Sequence, residues 1–488
     1  MTHAPDDARP ARTARLTGQA LTTAAECPRR LWLRQHDARE GTPPTDHQRV
    51  LRERTAVLER ETLARFPDRV GPIWNREGSF AAAAAESLRR LREERVPLVR
   101  PALLSPDGRR SSVPLLLWWD GGTLAVLDVR LAHRPQARSD FALQLAHDRA
   151  LLREIAGIEP GRFEIVNGHG ETIAVKPASE SAYARALAAA EAVLAREDEP
   201  DLLLSHSACR ACAFYDHCWD RAEAERRIEI LPEVQGAHVA AYHAAGVRTL
   251  VRLAALATGR TPAGLPEAVV RRAAIAAAAW RDDRAVWLRA PRLPEGPCVW
   301  LDFEGDARGE DAGIPIYLWG LAREPGGDAA PRGEAIVAGL DDGGDARAWQ
   351  RFVARADQLL AAEPGLRFVH WDQYEPLWVR RYAARHGAPP GFLERFERAT
   401  FDLKRALDQS VRLPLRSYSI KFVARWLGFA WRNPESGSEW SAARFHRACA
   451  TGDAAERERL LREIAEYNED DLLAMRAIWR WMRASGPA

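Results

Sequence analysis

The sequence lacks the features that mark membrane, secreted and strongly basic proteins. No apolar run among its 488 residues reaches the roughly 18 to 20 residues that a membrane-spanning helix needs. The polar start of the chain has no apolar segment of the kind found in signal peptides. The formal net charge is only +2, so any attraction for nucleic acid must come from local basic groups. We therefore predict a cytoplasmic protein without a membrane segment.

Cysteine is also scarce, with six residues in the whole chain, and this argues against a disulfide framework. Four of the six nevertheless form a pattern. Cys209, Cys212 and Cys218 have the spacing Cys-x2-Cys-x5-Cys, and Cys27 lies far upstream. Thiolates held at such short spacing suit a soft metal ion or cluster.

The most informative stretch is an apolar segment at 298–305, which predicts a buried strand. Side chains alternate along a strand, so Asp302 and Glu304 share one face and Phe303 takes the other. Two carboxylates on one apolar face repel each other and resist desolvation, and a divalent cation would relieve both problems. A strand end at which both acids reach water is the alternative that this stretch leaves open.

A C-terminal segment predicts an amphipathic helix that carries another inward acid. Tyr467 and Asp471 are one turn apart on or beside its apolar stripe, whereas Asp470 is rotated away and predicted to be solvated. A lone inward aspartate is costly unless something compensates its charge. Together with Asp302 and Glu304, Asp471 would complete a metal site beside a tyrosine.

These two motifs, Asp-x-Glu on a first strand and Tyr-x-x-x-Asp on a late helix, resemble those of the DEDD 3′–5′ exonucleases. The resemblance covers roughly residues 290 to 485 and is closest to the YprB-type ribonuclease H-like domain. It implies phosphodiester hydrolysis with two Mg²⁺ or Mn²⁺ ions. In that mechanism Asp302, Glu304 and Asp471 hold the ions, and Tyr467 orients the attacking water.

Two further site residues follow from the same resemblance. Glu375 stands where the family has an aspartate that completes the metal ligands, with Asp372 and Asp402 as competing assignments. Lys421 matches a lysine that faces the active-site groove, where it would contact a substrate phosphate. An ordinary surface lysine is the alternative for Lys421.

The cysteine pattern resembles the RecB-like nucleases that hold a four-iron iron–sulfur cluster. In that family one distant cysteine, here Cys27, joins three late cysteines, here Cys209, Cys212 and Cys218. Four thiolates suit a 4Fe-4S cluster, and a structural Zn²⁺ at the same four residues is the alternative.

The same resemblance predicts a second nuclease centre that has degenerated. Asp128 and Arg130 fall where the family has Asp-x-Lys, so an arginine replaces the lysine that helps to position water. Gln144 matches the glutamine of the following helix, and Asp148 stands in place of its tyrosine. No carboxylate occupies the matching stretch upstream, and we therefore predict an inactive site.

The predicted fold is a multi-domain α/β protein in three parts. Residues 13–230 form a RecB-like domain of the PD-(D/E)xK type, 231–288 a helical connector similar to a helix-hairpin-helix, and 289–488 a ribonuclease H-like domain. The predicted function is 3′–5′ exonuclease activity on single-stranded DNA or RNA. A non-catalytic nucleic-acid-binding protein and a zinc-stapled interaction protein are the alternatives.

Overall fold

The chain forms two compact units, Met1–Pro43 with Gln48–Leu203, and Pro44–His47 with Leu204–Ala488. The computed structural model describes residues 15–36, 46–75, 77–132, 139–202, 204–206, 209, 212–259, 261–306, 315–324, 331–341 and 343–487. Within these ranges no helix has both the length and the apolar character needed to cross a lipid bilayer. The three-part division of the sequence stays a prediction.

The first unit begins with four described helices, which are followed by five short strands and then by one more helix, two strands and a final helix. Its described helices are α1 (Gly18–Glu26), α2 (Pro28–His36), α3 (Asp46–Ala64), α4 (Phe80–Glu93), α5 (Ser139–Ala156) and α6 (Glu180–Leu194). Its described strands are β1 (Leu98–Val99), β2 (Leu103–Leu104), β3 (Ser111–Ser112), β4 (Leu116–Asp120), β5 (Thr123–Val129), β6 (Arg162–Val166) and β7 (Thr172–Ala174).

The main sheet of this unit has the order β1-β4-β5-β6-β7. β4 and β5 form an antiparallel hairpin, as the turn at 120–122 predicts. β6 returns parallel to β5 after α5, and β7 pairs antiparallel with β6. Buried leucine and valine side chains of β4 and β5 pack on both faces of the sheet and form its core.

One helix of the first unit is broken where the sequence predicts continuity. The helical pattern over 22–36 predicts a single helix that carries Cys27, but α1 ends at Glu26 with Cys27 as its C-cap, and α2 begins at Pro28. The residue before a proline disfavours the helical conformation, and Cys27 is extended with φ −157°. Because proline is well suited to the first position of a helix, Pro28 both ends α1 and starts α2.

The second unit begins with a helical segment and continues into an α/β domain. Its described helices are α7 (Tyr215–Ala224), α8 (Ala237–Ala244), α9 (Leu250–Ala254), α10 (Glu267–Asp282), α11 (Gly344–Ala362), α12 (Tyr374–His386), α13 (Phe392–Ala399), α14 (Leu403–Ser410), α15 (Ile420–Trp426), α16 (Ser438–Ala450) and α17 (Ala454–Ser485). Its described strands are β8 (Val286–Trp287), β9 (Cys298–Gly305), β10 (Ile316–Arg323), β11 (Gly333–Val337), β12 (Arg367–His370), β13 (Thr400–Asp402) and β14 (Val411–Arg412).

The five-stranded sheet of the second unit has the order β11-β10-β9-β12-β13. The first three strands are antiparallel, as the sequence predicts. β12 and β13 then run parallel to β9, so the carboxyl ends of β9, β12 and β13 meet at one edge. In sheets of this kind ligands bind at the carboxyl ends of the parallel strands.

Alternation along β9 sends its side chains to two different cores. Val299, Leu301 and Phe303 pack under α11, α12 and α13, and Phe303 contacts Trp319 at 4.5 Å between ring centroids. Cys298 and Trp300 pack on the other face, against α17. The same face continues into Asp302 and Glu304, so the acids lie on the side of the sheet that α17 covers.

Candidate metal-binding active site

The first two site residues are held by the central strand of the sheet. Asp302 lies opposite Gly320 and Glu304 opposite Leu318 in the antiparallel register of β9 and β10. Glu304 is only 4% exposed, and Asp302 is half-buried. Strand geometry therefore places two carboxylates side by side at the end of an otherwise apolar strand.

Helix α17 brings the third acid to this strand. Carboxylate oxygens of Asp302, Glu304 and Asp471 all lie within 4.8 Å of one another, and Asp471 is 4% exposed. In the described part of the chain this is the one group of three or more acidic, cysteine or histidine side chains with that proximity. Oxygen-only ligands at such spacing are those that Mg²⁺ and Mn²⁺ prefer.

Asn468 links α17 to β9 and was not predicted as a site residue. Its Nδ2 donates to Asp302 Oδ2 at 2.6 Å and to the Asp302 carbonyl oxygen at 3.1 Å. The side chain fits because Gly320 lies beneath it, and a Cβ at that position would overlap the Asn468 carboxamide. The available signal was the position of Asn468 on the apolar stripe of the helix, where a polar residue needs a partner.

Asp471 has its own set of donors. Trp431 Nε1 donates to Asp471 Oδ1 at 2.7 Å, and the Tyr467 hydroxyl hydrogen-bonds the same carboxylate. The sequence predicts Trp431 to be a core residue, and its ring is indeed 5% exposed. Its indole N–H also holds a site carboxylate. Sequence spacing does not show this, because the partner is forty residues further along the chain.

Glu375 lies in the first turn of α12 and lines the same cavity as the three clustered acids, but it is not one of that group. Its side chain is 3% exposed, and no described residue hydrogen-bonds its Oε2. His370 Nδ1 lies 3.8 Å from that oxygen. The competing assignments are engaged elsewhere, since Asp372 pairs with Lys404 and Asp402 caps α14.

Burial and mutual repulsion shift the titration of these acids. Burial, with the negative charges of the neighbouring carboxylates, raises the pKa of Asp302 and of Glu304 well above the ordinary range. The pKa of Glu375 also rises because of burial, despite a hydrogen bond from the Phe303 backbone. Burial raises the pKa of Asp471 to about 6, although nearby Lys421 favours its charged form. The cluster therefore holds its protons tightly unless cations compensate the charge.

Lys421 lies on α15 beside the cluster. Its ammonium is 4.8 Å from the centroid of the Tyr467 ring, and it donates to the Ser436 carbonyl oxygen. Burial lowers the pKa of Lys421, whereas the charges of Asp471, Glu304 and Asp302 oppose that shift. The lysine thus faces the acids and is not an isolated surface residue.

One prediction about α17 is wrong. Asp470 is not solvated but 4% exposed, and it accepts hydrogen bonds from Arg432 N at 2.9 Å and Arg432 Nε at 2.7 Å. The rotation away from the apolar stripe was estimated correctly, but the loop after α15 covers that side of the helix. Asp470 therefore fixes the loop that carries Trp431.

The site opens into a cavity of about 380 Å³ that is lined by both strands and helices. The family model described as the RNase_H superfamily matches residues 299–483, which contain all of the elements that form this cavity. The C-terminal part of the chain is a ribonuclease H-like domain. No curated protein matches the chain. Ribonuclease H-like proteins usually hydrolyse nucleic acids and typically use divalent metal ions, which agrees with the carboxylate cluster of this domain.

Outside the ribonuclease H-like domain, the residues of the predicted degenerate centre do lie together in the first unit. Arg130 bridges Asp128 Oδ2 at 2.6 Å and Gln144 Oε1 at 2.5 Å. Asp148 is 6% exposed and accepts a hydrogen bond from Ser112. The guanidinium of Arg130 neutralises Asp128, so this group presents no pair of free carboxylates.

Asp148 gives the first unit a pH-dependent stability that can be measured. Burial raises the pKa of Asp148 from 3.8 to about 7, so the folded state binds this proton more tightly than the unfolded chain. The associated stability is present at low pH and is lost as the pH rises through about 7. We expect Asp148→Asn to raise the free energy of unfolding at pH 8 by on the order of 3 kcal/mol and to change little near pH 4. Thermal unfolding of both proteins across this pH range checks the prediction.

The control is Asp120→Asn, which removes an exposed carboxylate of the same unit that pairs with Arg162. It should leave the pH profile of the wild-type protein unchanged. Equal stability of Asp148→Asn and wild type at pH 8 would contradict the assigned role of Asp148.

The four cysteines of the predicted cluster are all half-buried thiols. Cys27 belongs to the first unit, and Cys209, Cys212 and Cys218 belong to the second. Cys218 lies in α7, and the Cys212 N–H donates to the Cys209 carbonyl oxygen at 2.9 Å. Their ligation of an iron–sulfur cluster or of zinc stays a prediction.

Proposed function

We propose that the ribonuclease H-like domain is a divalent-metal-dependent nuclease, and specifically a 3′–5′ exonuclease on single-stranded DNA or RNA. The observation that carries this proposal is the convergence of Asp302, Glu304 and Asp471 beside Tyr467 in one cavity. The exonuclease polarity is supported by the Tyr-x-x-x-Asp motif on α17. Three carboxylates held within 4.8 Å of one another repel each other, and this cost is unexpected in a purely structural cluster.

The donor set fits divalent metal ions. All three clustered side chains offer carboxylate oxygens, and Glu375 adds a buried oxygen that has no hydrogen-bond partner among the described residues. Burying these charges together is unfavourable unless cations balance them. We assign Asp302, Glu304 and Asp471 as metal ligands and Glu375 as the residue that completes the set.

When bound, the ions would supply Lewis-acid activation of water and stabilisation of the leaving oxygen. The protein contributes fixed geometry, since β9, α12 and α17 each present their acids from regular secondary structure. Asn468 prevents rotation of Asp302, and Trp431 does the same for Asp471. Holding reacting groups in place in this way lowers the barrier by avoiding reorganisation during the reaction.

Tyr467 is assigned to the positioning of the attacking water. Burial and the charges of Asp471, Glu304 and Asp302 raise its pKa well above the ordinary value, so the phenol keeps its proton. A neutral hydroxyl can donate one hydrogen bond and accept another. Tyr467 is therefore a positioning group and not a base.

Lys421 is assigned to a substrate phosphate. Its ammonium faces the acids from α15, and a phosphodiester drawn into the cavity would bring negative charge to both the cations and this lysine. A positioned cation at that point stabilises the negative charge that builds up on the phosphate oxygens.

The direct test is a nuclease assay on the purified full-length protein. Single-stranded DNA and RNA that carry a 5′ label are incubated with and without Mn²⁺ or Mg²⁺, and the expected result is stepwise shortening from the 3′ end only with metal. Binding of the strands without any shortening would overturn the proposal and favour the non-catalytic nucleic-acid-binding protein.

Trp431→Phe tests whether the Trp431 indole positions Asp471 or only contributes to the stability of the fold. The phenyl ring keeps most of the buried apolar surface but cannot donate to Asp471 Oδ1. Removal of a hydrogen-bonded partner of a metal ligand typically costs about 10- to 100-fold in metal affinity or activity. We expect the Mn²⁺ concentration for half-maximal activity to rise by about 10- to 100-fold, with only a small loss of thermal stability.

The matched control is Trp349→Phe, since the Trp349 indole donates to the Gly387 carbonyl oxygen on the opposite side of the sheet. That variant should lose stability without a change in metal dependence. An unaltered Mn²⁺ titration in Trp431→Phe would remove Trp431 from the site.

The cysteine centre is a separate proposal with its own readout. We propose a 4Fe-4S cluster at Cys27, Cys209, Cys212 and Cys218, with Zn²⁺ as the alternative. Broad visible absorbance with iron and sulfide in the purified protein supports the cluster. A colourless protein that contains one zinc ion overturns it.

A further inference from the structure

A second cleft lies at the edge of the sheet where the parallel strands end. Its volume is about 550 Å³, and residues from the ends of β12 and β13 and from α12 and α14 line it. Four arginines line this cleft, which we call the arginine cleft: Arg289, Arg292, Arg380 and Arg405. The carboxylate cluster occupies the carboxyl end of β9 at the same edge.

The carboxylates that line the arginine cleft are already engaged. Glu397 Oε1 accepts from Arg380 Nη1 at 3.1 Å. Asp402 caps α14, because its Oδ1 accepts from the Arg405 N–H at 2.9 Å, and its Oδ2 accepts from Gln373 Nε2 at 2.9 Å. Glu397 is thus paired with Arg380, whereas Asp402 is held by neutral donors, and the arginines of the cleft outnumber its two acids.

Three of the four arginines have no ion pair. In the part of the chain that the structure describes, no carboxylate lies within 4.0 Å of the guanidinium of Arg289, Arg292 or Arg405, and Arg289 donates to the neutral Gln409 Oε1. All three residues are exposed, so none pays a burial cost that would require a protein partner. A cleft in which arginines outnumber acids is suited to anions, because each guanidinium offers several donors to phosphate oxygens.

The position of the cleft relates it to the candidate active site. β9, β12 and β13 are neighbours in the sheet. Adjacent strands lie about 4.8 Å apart, so the two sites are roughly 10 Å apart. His370 lines the arginine cleft, and its Nδ1 is 3.8 Å from Glu375 Oε2, which lines the metal-binding cavity. One wall of side chains thus separates the uncompensated arginines from the carboxylates.

We propose that the arginine cleft binds backbone phosphates of the same single strand whose scissile phosphate enters the carboxylate site. This inference rests on the proposed function and adds a substrate-binding surface to it. A polyanion with evenly spaced charges can reach both places at once, and with a net charge of only +2 the chain can attract it only through local basic groups such as this cleft. Contacts to phosphates hold the strand without reading its sequence.

The test measures binding separately from hydrolysis. A fluorescein-labelled oligo(dT) or oligo(rU) is titrated with full-length protein in EDTA, and anisotropy is recorded across a salt series. A phosphate contact on a single strand changes the slope of log K against log salt by about 0.7, so each contact is worth about fivefold at 0.1 M salt. Arg292→Ala with Arg405→Ala should weaken binding by about twentyfold and reduce the slope by about 1.4.

The matched control is Arg332→Ala with Arg351→Ala, which removes two exposed arginines from the β11 and α11 side of the same domain. It should keep the affinity and the slope of the wild-type protein. Identical binding by the two double variants, or no binding of either strand by the wild type, overturns the inference.

The two proposals fail in different ways. If the wild-type protein hydrolyses nothing but the arginine-cleft variant still binds more weakly than the control, the nuclease is excluded and the cleft stands. If hydrolysis occurs and the arginine-cleft variant keeps the wild-type KM, the nuclease stands and the cleft is excluded.

Discussion

Asp302→Asn should abolish metal-dependent hydrolysis and at the same time make the metal-free protein more stable. The substitution removes one of the three clustered carboxylates, and with it the charge that would hold the cations. Stabilisation by bound ions is worth several kcal/mol, and each 1.36 kcal/mol is tenfold in rate, so the expected loss is about a thousandfold.

The gain in stability has a definite pH dependence. The pKa of Asp302 is raised by burial and by Asp471, so its contribution to the free energy of unfolding is present at low pH and lost as the pH rises through the raised pKa. Asn carries no charge at any pH. At pH 8 without metal the variant should therefore have the higher free energy of unfolding, and at pH 4 the two proteins should be equal.

Metal ions should reverse the order of stability. Mn²⁺ should bind the folded wild-type protein and raise its Tm, whereas Asp302→Asn should respond weakly. Asp357→Asn is the control, since it removes an exposed carboxylate that pairs with Arg395 on the other face of the sheet. A variant at Asp302 that keeps full activity, or that loses stability at pH 8, would contradict the assignment.

Gly320→Ala on β10 should displace Asn468 and thereby lower both the stability of the protein and the activity of the carboxylate site. The added methyl group would occupy the position of the Asn468 carboxamide, and it is attached to backbone that is fixed by pairing on both sides. Forcing an extra carbon into a filled space typically costs 1–3 kcal/mol, so we expect a loss of about 2 kcal/mol in the free energy of unfolding. Activity should fall by more than tenfold because displaced Asn468 no longer holds Asp302.

A double-mutant cycle distinguishes this mechanism from general disruption of the strand. Asn468→Ala removes the side chain that the methyl group would strike, so adding it to Gly320→Ala should restore most of the lost stability. The hydrogen bonds to Asp302 remain absent, so activity should stay low. Additive losses of stability in the double variant would show that the two residues do not share this space.

The sequence predicted those parts of the fold that local pattern controls. Apolar alternation on β9 placed Asp302 and Glu304 on one face, and helical periodicity turned Asp471 inward. The antiparallel β9–β10–β11 set was also predicted correctly. These features depend on neighbouring residues along the chain, and such spacing is visible without a structure.

Other features depended on segments that meet only in the folded chain. Asp470 was predicted to be solvated because its rotation on α17 is visible, whereas the loop of Arg432 that covers it is not. The donor function of Trp431 and the space above Gly320 have the same origin, since each requires a partner far away in sequence. The helix break at Cys27 has a local cause, since Pro28 disfavours a helical conformation at the residue before it. Helical periodicity alone does not reveal such a break.

The contact between Asn468 and Asp302 joins residues that are 166 positions apart. Translation proceeds from the N-terminus, so a nascent chain displays Asp302 and Glu304 long before Asp471 has been synthesised. Until α17 emerges and docks, the carboxylates cannot be complete, and an interrupted polypeptide carries only a partial set. The proposed metal site therefore cannot assemble on the nascent chain before residue 471 has been synthesised and α17 has folded onto β9.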